Sequence, residues 1–199
     1  MSHHNANLPS PNEALQMLKN GNQRYVEAQL THPDQTPQRR TDLSGGQSPF
    51  AIVLGCADSR VPPEIVFDQG LGNIFTIRVA GNVIDDIVLG SIEYAAEHLH
   101  TPLMVVLGHS NCGAVAATLA GGELGGHLPS LAEAIQPAVN MAKDQAGDVL
   151  DNAVRINAKM MAEHLRQSEP ILAKLVNSGQ FKVVAARYDL ASGVVDFLD

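Results

Sequence analysis

The chain has 199 residues, of which 45% are hydrophobic, and its 21 acidic and 13 basic side chains give a formal net charge of −8. It is long enough to bury a core and too apolar for a disordered protein. Because the chain is acidic and lacks a basic cluster, we expect neither nucleic acid nor an anionic membrane as a partner. Its start, MSHHNANLPS, lacks the features of a signal peptide, and no apolar run is long enough to cross a bilayer, so we expect a cytoplasmic protein.

The first predicted element is a helix that begins with a capping box. Ser10 and Glu13 have the spacing of that motif, and Pro11 occupies the first helical position. The helix should continue to about Ala28. The residues expected on its apolar side are Leu15, Leu18 and Tyr25.

A polar segment, THPDQTPQRRTDLSGGQSP, follows this helix and is typical of a long surface loop. The helix could therefore lie as an arm on another part of the fold or on another subunit. We predict a single domain over residues 1–199, in which 1–46 form the helical arm and loop and 47–199 form the α/β core.

The rest of the chain alternates between predicted strands and helices. Apolar runs of strand length are found at 50–55, 73–81, 102–108 and 181–188. Helical segments are predicted at 84–100, from Cys112 to the glycines at 121 and 122, at 128–147 with an interruption near Pro137, and at 148–179 with an interruption near Pro170. The last strand turns through DLASG into VVDFL, as in an antiparallel hairpin. The pattern predicts an α/β fold with a mostly parallel central sheet flanked by helices, an N-terminal helical arm and a C-terminal antiparallel edge hairpin.

Two groups of polar residues follow directly after predicted strands. Cys56, Asp58 and Arg60 come after AIVLG, and His109 and Cys112 come after LMVVLG. The carboxyl ends of parallel strands are where ligands bind in open α/β sheets. If these two strands are neighbours, all five side chains meet at one edge of the sheet.

The two cysteines and the histidine form a set that zinc prefers. In a chain without a secretory signal, a metal or catalytic role is favoured over a disulfide for the pair. Three protein ligands, Cys56, His109 and Cys112, leave a fourth position open, as in catalytic zinc sites. Water bound there ionises near neutral pH and becomes a nucleophile.

Asp58 has two possible duties in such a site. As a fourth zinc ligand it would close the site and exclude water. Held by Arg60 through a charge-assisted pair, it would instead accept a hydrogen bond from the zinc-bound hydroxide and aim it. The arginine two residues on favours the second duty, because it keeps the carboxylate off the metal.

The motifs C-x-D-S-R, V-P-P-E, R-V-A-G-N, S-I-E-Y-A and G-H-S-N-C-G resemble those of the β-class carbonic anhydrases. The similarity runs from about Gln47 through Ala116. The resemblance implies one Zn²⁺ per subunit, bound by Cys56, His109 and Cys112, with Asp58 and Arg60 as the catalytic pair. It implies reversible hydration of carbon dioxide to bicarbonate and a proton.

The same resemblance implies a homodimer or a dimer-of-dimers tetramer with active sites at the subunit interface. Gln47 matches a substrate-binding glutamine of the plant-like members of the family. Phe75 and Tyr94 match aromatic positions that line the carbon dioxide pocket, and the Gly113 backbone N–H lies beside the metal. Much of that pocket comes from the neighbouring subunit in the family.

One branch of the family has a tryptophan three residues before the first zinc cysteine, as part of a bicarbonate site that favours the closed state. Val53 occupies that position here, and the chain has no tryptophan. We therefore expect the open form. No histidine is identified as a proton shuttle: His3 and His4 lie in a terminus expected to be mobile, and solvated surface roles are predicted for His98, His100 and His127.

Two other functions are compatible with these residues. The same scaffold could hydrolyse a related linear molecule, such as carbon disulfide or carbonyl sulfide. A zinc-stabilised protein without catalysis would instead have a closed site with four ligands. Asp58, Arg60 and Gln47 argue against this last alternative, because a structural site needs neither a carboxylate restrained by arginine nor a polar substrate contact.

Overall fold

The computed structural model describes residues 8–198, which form a five-stranded sheet with helices on both faces. The strands are β1 (Ala51–Gly55), β2 (Ile74–Arg78), β3 (Leu103–His109), β4 (Lys182–Tyr188) and β5 (Val195–Phe197). The helices are α1 (Pro11–Val26), α2 (Pro37–Asp42), α3 (Pro63–Val66), α4 (Asp86–Glu93), α5 (Gly113–Ala120), α6 (Leu128–Ala142), α7 (Val149–Arg166) and α8 (Leu172–Asn177).

The strand order is β2-β1-β3-β4-β5. The first four strands are parallel, and β5 pairs with β4 in the antiparallel sense. This confirms the predicted mostly parallel sheet and the C-terminal antiparallel hairpin. It also makes β1 and β3 neighbours, with Gly55 opposite Leu107, so the two polar groups that follow these strands lie at the same end of the sheet.

Both faces of the sheet are covered, which explains why β1 and β3 are continuous apolar runs. Val53 and Val105 point into a cluster that includes Ala14 and Leu18 of α1. The alternate residues of the strands face α4, α7 and α8 in a second cluster. Within the described residues, no helix is long and apolar enough to cross a membrane.

Helix α1 begins as predicted and packs on the core of its own chain. Ser10 and Glu13 form the capping box, and Leu18 is completely buried. The Asn22 side chain donates hydrogen bonds to the Val66 carbonyl oxygen, at 3.0 Å, and to the Gly193 carbonyl oxygen, at 2.9 Å. Within the described residues, helix α1 therefore packs on another part of the same chain.

The segment predicted as one long surface loop also contains regular structure, so that prediction was partly wrong. Helix α2 begins after Thr36, whose hydroxyl oxygen accepts a hydrogen bond from the Arg39 N–H, and Pro37 is its first residue. A 3₁₀ turn, Leu43–Gly45, follows. The helix has no buried residue, so it leaves no apolar periodicity by which the sequence could indicate it.

The two predicted helix interruptions had different outcomes. The break near Pro170 is confirmed, because α7 ends before it and α8 begins after it. The break near Pro137 was wrong, because α6 continues through that residue. Because Pro137 has no N–H, the Glu133 carbonyl loses its helical hydrogen bond. Both residues lie on the exposed side of α6, where water can replace the missing bond.

Candidate metal centre

The centre is built from the residues that follow β1 and β3. Cys56 comes directly after β1, His109 is the last residue of β3, and Cys112 precedes the first residue of α5. One potential ligand atom of each residue lies within 4.8 Å of those of the other two, and all three residues are buried. The structure therefore brings together the three residues that the sequence predicts as metal ligands.

The polar atoms of this cluster fit a metal ion. His109 Nδ1 lies 2.9 Å from the Ser110 carbonyl oxygen, so it is the ring nitrogen that donates a hydrogen. His109 Nε2 is buried without a hydrogen-bond partner. A buried nitrogen with a free lone pair beside two thiols is the donor set of a zinc site, and it is costly to bury without a ligand.

The two neighbouring thiols shift each other's pKa in opposite directions. The pKa of Cys56 is lowered, chiefly because the Cys112 thiol donates a hydrogen bond to its sulfur, and this outweighs the effect of burial. The pKa of Cys112 is raised for the complementary reason, with burial adding to it. This hydrogen bond favours the thiolate form of Cys56, and metal binding would displace the proton from Cys112.

Asp58 and Arg60 form a two-point ion pair beside this cluster. Arg60 Nε donates to Asp58 Oδ1 at 2.9 Å, and Arg60 Nη2 donates to Asp58 Oδ2 at 2.7 Å. The Arg60 backbone N–H also donates to Oδ1, at 2.9 Å. These bonds, first of all those from the guanidinium, hold the pKa of Asp58 below its usual range. Asp58 Oδ2 lies 4.0 Å from His109 Nε2, so an ionised carboxylate faces the cluster.

The loop at Cys56 is held by hydrogen bonds from two residues to which the sequence analysis assigned no role. The Arg78 guanidinium, at the end of β2, donates to the carbonyl oxygens of Cys56 and Asp58. The Gly81 N–H donates to Cys56 Sγ at 3.3 Å. Both residues belong to the motif R-V-A-G-N. Arg78 lies opposite Gly55 where β2 pairs with β1, so the pairing of these two strands is the signal that could have indicated the contact of Arg78 with the loop at Cys56.

The four residues predicted to bind substrate have different surroundings. Gly113 follows Cys112 and is the exposed first residue of α5. Phe75 and Tyr94 pair with each other, with ring centroids 6.3 Å apart, and Tyr94 is 48% exposed. Gln47 is exposed on the rim of a surface cavity of about 620 Å³.

Within the described part of this single chain, no hydrogen bond or ring contact joins Gln47, Phe75 or Tyr94 to the three cluster residues. Of the histidines, His98, His100 and His127 are exposed, whereas His3 and His4 lie outside the described residues.

Comparisons with known proteins agree with this arrangement. A family model described as carbonic anhydrase matches residues 51–195, which include all three residues of the cluster. Carbonic anhydrase 2 of Mycobacterium tuberculosis is 40% identical over 188 residues, covering 92% of this chain and 91% of that protein. The carbonic anhydrase of Mycolicibacterium smegmatis is 40% identical over 191 residues, covering 94% and 93%.

Solved structures share the fold. A β-carbonic anhydrase of the fungal pathogen Aspergillus fumigatus is 29% identical with a TM-score of 0.72, covering 94% of this chain and 90% of that one. A tetrameric β-carbonic anhydrase of Sordaria macrospora has a TM-score of 0.76 and covers 94% and 97%; at 22% identity this likeness shows the fold alone. The resemblance seen in the motifs is confirmed, and the chain belongs to the β-carbonic anhydrases, a family of enzymes whose activity is the hydration of carbon dioxide.

Proposed function

We propose that this chain is a zinc enzyme that reversibly converts carbon dioxide and water to bicarbonate and a proton, with one Zn²⁺ held by Cys56, His109 and Cys112. The observation that carries the proposal is the buried cluster of two thiols and one unpartnered imidazole nitrogen beside an ionised carboxylate. Three protein ligands are the number found in catalytic zinc sites. When bound, the zinc supplies a Lewis acid that makes water a nucleophile near neutral pH.

Asp58 is the residue that orients the attacking water. Arg60 engages both carboxylate oxygens, and Oδ1 also accepts the Arg60 backbone N–H. Oδ2 accepts one of these bonds and keeps acceptor capacity on the side that faces the cluster. It can therefore accept a hydrogen from the attacking water and fix its direction toward carbon dioxide.

We propose the open form of the site, in which Asp58 does not bind the metal. The two-point pair with Arg60 would have to break before Asp58 could become a fourth ligand, and such pairs are the stronger kind of hydrogen-bonded ion pair. Val53, in place of the tryptophan of the other branch, is completely buried in the sheet, so it offers no polar contact to a bicarbonate ion.

The substrate pocket is proposed to need a second subunit. Gly113, Phe75 and Tyr94 would line it, and Gln47 would contact the substrate from across a homodimer interface. The absence of contacts between Gln47 and the cluster within the described chain supports a site shared between copies. The Sordaria macrospora relative is tetrameric, which supports a dimer or a dimer of dimers here.

A reducing compartment, the cytoplasm, is proposed as the location. Cys56 and Cys112 are both free thiols, and their sulfur atoms are close together. The proposed metal ligation requires both to remain reduced, as they do in a cytosol kept reducing by glutathione.

The experiment that tests this function is stopped-flow hydration of carbon dioxide by the zinc-loaded protein, between about pH 7 and pH 9. Turnover already present at the lower pH, and absent from Cys112→Ser, is the expected result for the open site. Turnover that begins only at the alkaline end would contradict the open form. A protein that retains zinc but has no turnover at any pH would contradict the carbon dioxide reaction itself.

A further inference from the structure

Gly81 lies between the metal cluster and helix α7 and is hydrogen-bonded on both sides. Its N–H donates to Cys56 Sγ at 3.3 Å. Its carbonyl oxygen accepts a hydrogen bond from Asn157 Nδ2 at 2.9 Å. One backbone residue thus connects a side chain of α7 to a metal-ligand sulfur.

The conformation of Gly81 is one that other residues rarely adopt. Its φ is +72°, in the left-handed region. A Cβ atom on it would lie 2.7 Å from Ile135 Cδ1 and 3.3 Å from Ala114 Cβ. The local backbone is therefore confined by α5 and α6 on one side. Its carbonyl, which sets the orientation of the residue, is held by Asn157 on the other.

Asn157 is an unusual residue for its surroundings. It is only 1% exposed, and its neighbours on the buried side of α7 include Ala153, Val154 and Ala158. A buried position in such an apolar row normally carries an apolar side chain. Within the described residues, Asn157 Oδ1 has no hydrogen-bond partner. The hydrogen bond from Nδ2 to the Gly81 carbonyl is therefore the one that this side chain makes there.

We propose that Asn157 is a positioning residue of the metal centre. By holding the Gly81 carbonyl, it keeps the Gly81 N–H directed at Cys56 Sγ. That N–H stabilises the thiolate charge and restricts the direction of its lone pairs, which slows loss of the metal. The proposal rests on the proposed zinc function. Groups that orient metal ligands in this way typically change metal affinity about 10–100-fold when they are removed.

Substitution of two buried asparagines tests this role. Asn157→Leu removes the donor to Gly81, and Asn157→Ala removes it without adding volume. The matched control is Asn22→Leu, because Asn22 is also buried and also donates to backbone carbonyls, but on α1. The readouts are the rate of zinc transfer to a chelator and, in the Co²⁺-substituted protein, the position of the sulfur-to-cobalt charge-transfer band. Neither readout depends on turnover.

Both Asn157 variants are expected to release zinc about 10-fold faster than the unsubstituted protein and to shift the band. Asn22→Leu is expected to lower the Tm but to leave the release rate and the band unchanged. Equal release rates in the Asn157 and Asn22 variants, with an unshifted band, would mean that Asn157 only supports the fold, and would overturn the proposal.

A measurement on the unsubstituted protein can still overturn the proposal if the Asn157 variants fail to fold. In protein loaded with ¹¹³Cd, a scalar coupling between the Gly81 amide proton and the metal through Cys56 Sγ is expected. Its absence would overturn the N–H to sulfur step. Failure of the proposed function is distinguishable, because the unsubstituted protein would then bind no zinc, or would bind it and not hydrate carbon dioxide.

Discussion

Two aspartate–arginine pairs in this molecule have similar chemistry and different surroundings. Asp58 pairs with Arg60 beside the Cys–His–Cys cluster, and Asp68 pairs with Arg24 where α1 meets the chain that follows α3. Both carboxylates accept a short hydrogen bond from guanidinium, and the pKa of each lies below its usual range. The difference between the pairs lies in what else the carboxylate contacts.

Asp68 is saturated with donors. Its Oδ2 accepts from Arg24 Nε at 2.6 Å, from the Thr31 N–H at 3.1 Å and from the Thr31 hydroxyl at 2.8 Å. Its Oδ1 accepts from the His32 N–H at 3.0 Å. The residue is 2% exposed. All of these partners are protein groups, so Asp68 fastens the segment after α1 to the core.

The carboxylate of Asp58, by contrast, accepts hydrogen bonds from one residue only within the described chain. Every hydrogen bond that its carboxylate accepts within the described chain comes from Arg60. Its Oδ2 retains acceptor capacity and points toward His109. A carboxylate held on one side and open on the other is suited to orient a small molecule, whereas a saturated one is suited to hold the fold. We expect substitutions at the two sites to separate activity from stability.

The largest effect is expected from removing a proposed metal ligand. Cys56→Ser replaces a thiolate with a hydroxyl that zinc binds poorly. We expect zinc affinity to fall by more than about 100-fold, because losing a ligand should cost more than changing a group that only orients one. Turnover should fall with it. Metal content after dialysis and stopped-flow rates measure this. Zinc retained at full stoichiometry by Cys56→Ser would contradict the assignment of this residue.

Asp58→Asn is expected to reduce turnover while the zinc content remains complete. The amide cannot accept the two-point pair from Arg60 and presents a donor where an acceptor is needed, so we expect a loss of about 10–100-fold in kcat. The comparison is with Asp68→Asn, for which kcat should stay within about twofold. Equal losses of kcat in the two variants would remove the distinction between the pairs.

Asp68→Asn is expected to affect stability, and in a pH-dependent way. Burial raises the pKa of Asp68, but the hydrogen bonds from Arg24, Thr31 and His32 outweigh it and bring the pKa to about 2. A carboxyl with a lowered pKa in the folded state stabilises the fold above its unfolded pKa and loses this contribution as the pH falls.

The contribution of Asp68 to the free energy of unfolding, about 2 kcal/mol, should be present near neutral pH. It should disappear between about pH 4 and pH 2. Denaturant unfolding at several pH values measures it. The Asn variant should be less stable at neutral pH and should show a shallower loss of stability over that interval. A variant with the same acid dependence as the unsubstituted protein would show that Asp68 does not carry this contribution.

The smallest effect is expected at the start of α1. Ser10→Ala removes the hydroxyl that accepts the Glu13 N–H, one half of the capping box. Loss of such a cap should lower the Tm by about 2–4 °C in a chain of this length. Thermal unfolding measures the shift, and carbon dioxide hydration at 25 °C should be unaffected. A change in turnover would mean that α1 influences the metal centre after all.

The parts of the molecule that could be predicted from the sequence are those with a local signal. Strands β1 and β3 were predictable because both faces of the sheet are covered and the runs are continuously apolar. The cluster of Cys56, His109 and Cys112 was predictable because its three residues follow those two strands closely. The capping box of α1 is equally local.

The residues that sequence reasoning missed act through contacts distant in the chain. Arg78 binds a carbonyl 22 residues away, and Asn157 binds one 76 residues away. Neither bond leaves a periodic pattern, since the acceptor in each is backbone and exists at every residue. Helix α2 was missed for another reason: it buries no residue, so no apolar periodicity distinguishes it from a loop.

The bonds of Asn22 have a consequence for the order in which the molecule assembles. Its side chain bonds the Gly193 carbonyl and the Val195 N–H, at sequence separations of 171 and 173 residues. During synthesis, α1 is made long before β5, the strand that completes its polar contacts. Such distant contacts form slowly because the chain between them must first be ordered. We expect the docking of α1 against β5 to be a late event, completed only after β5 has been made.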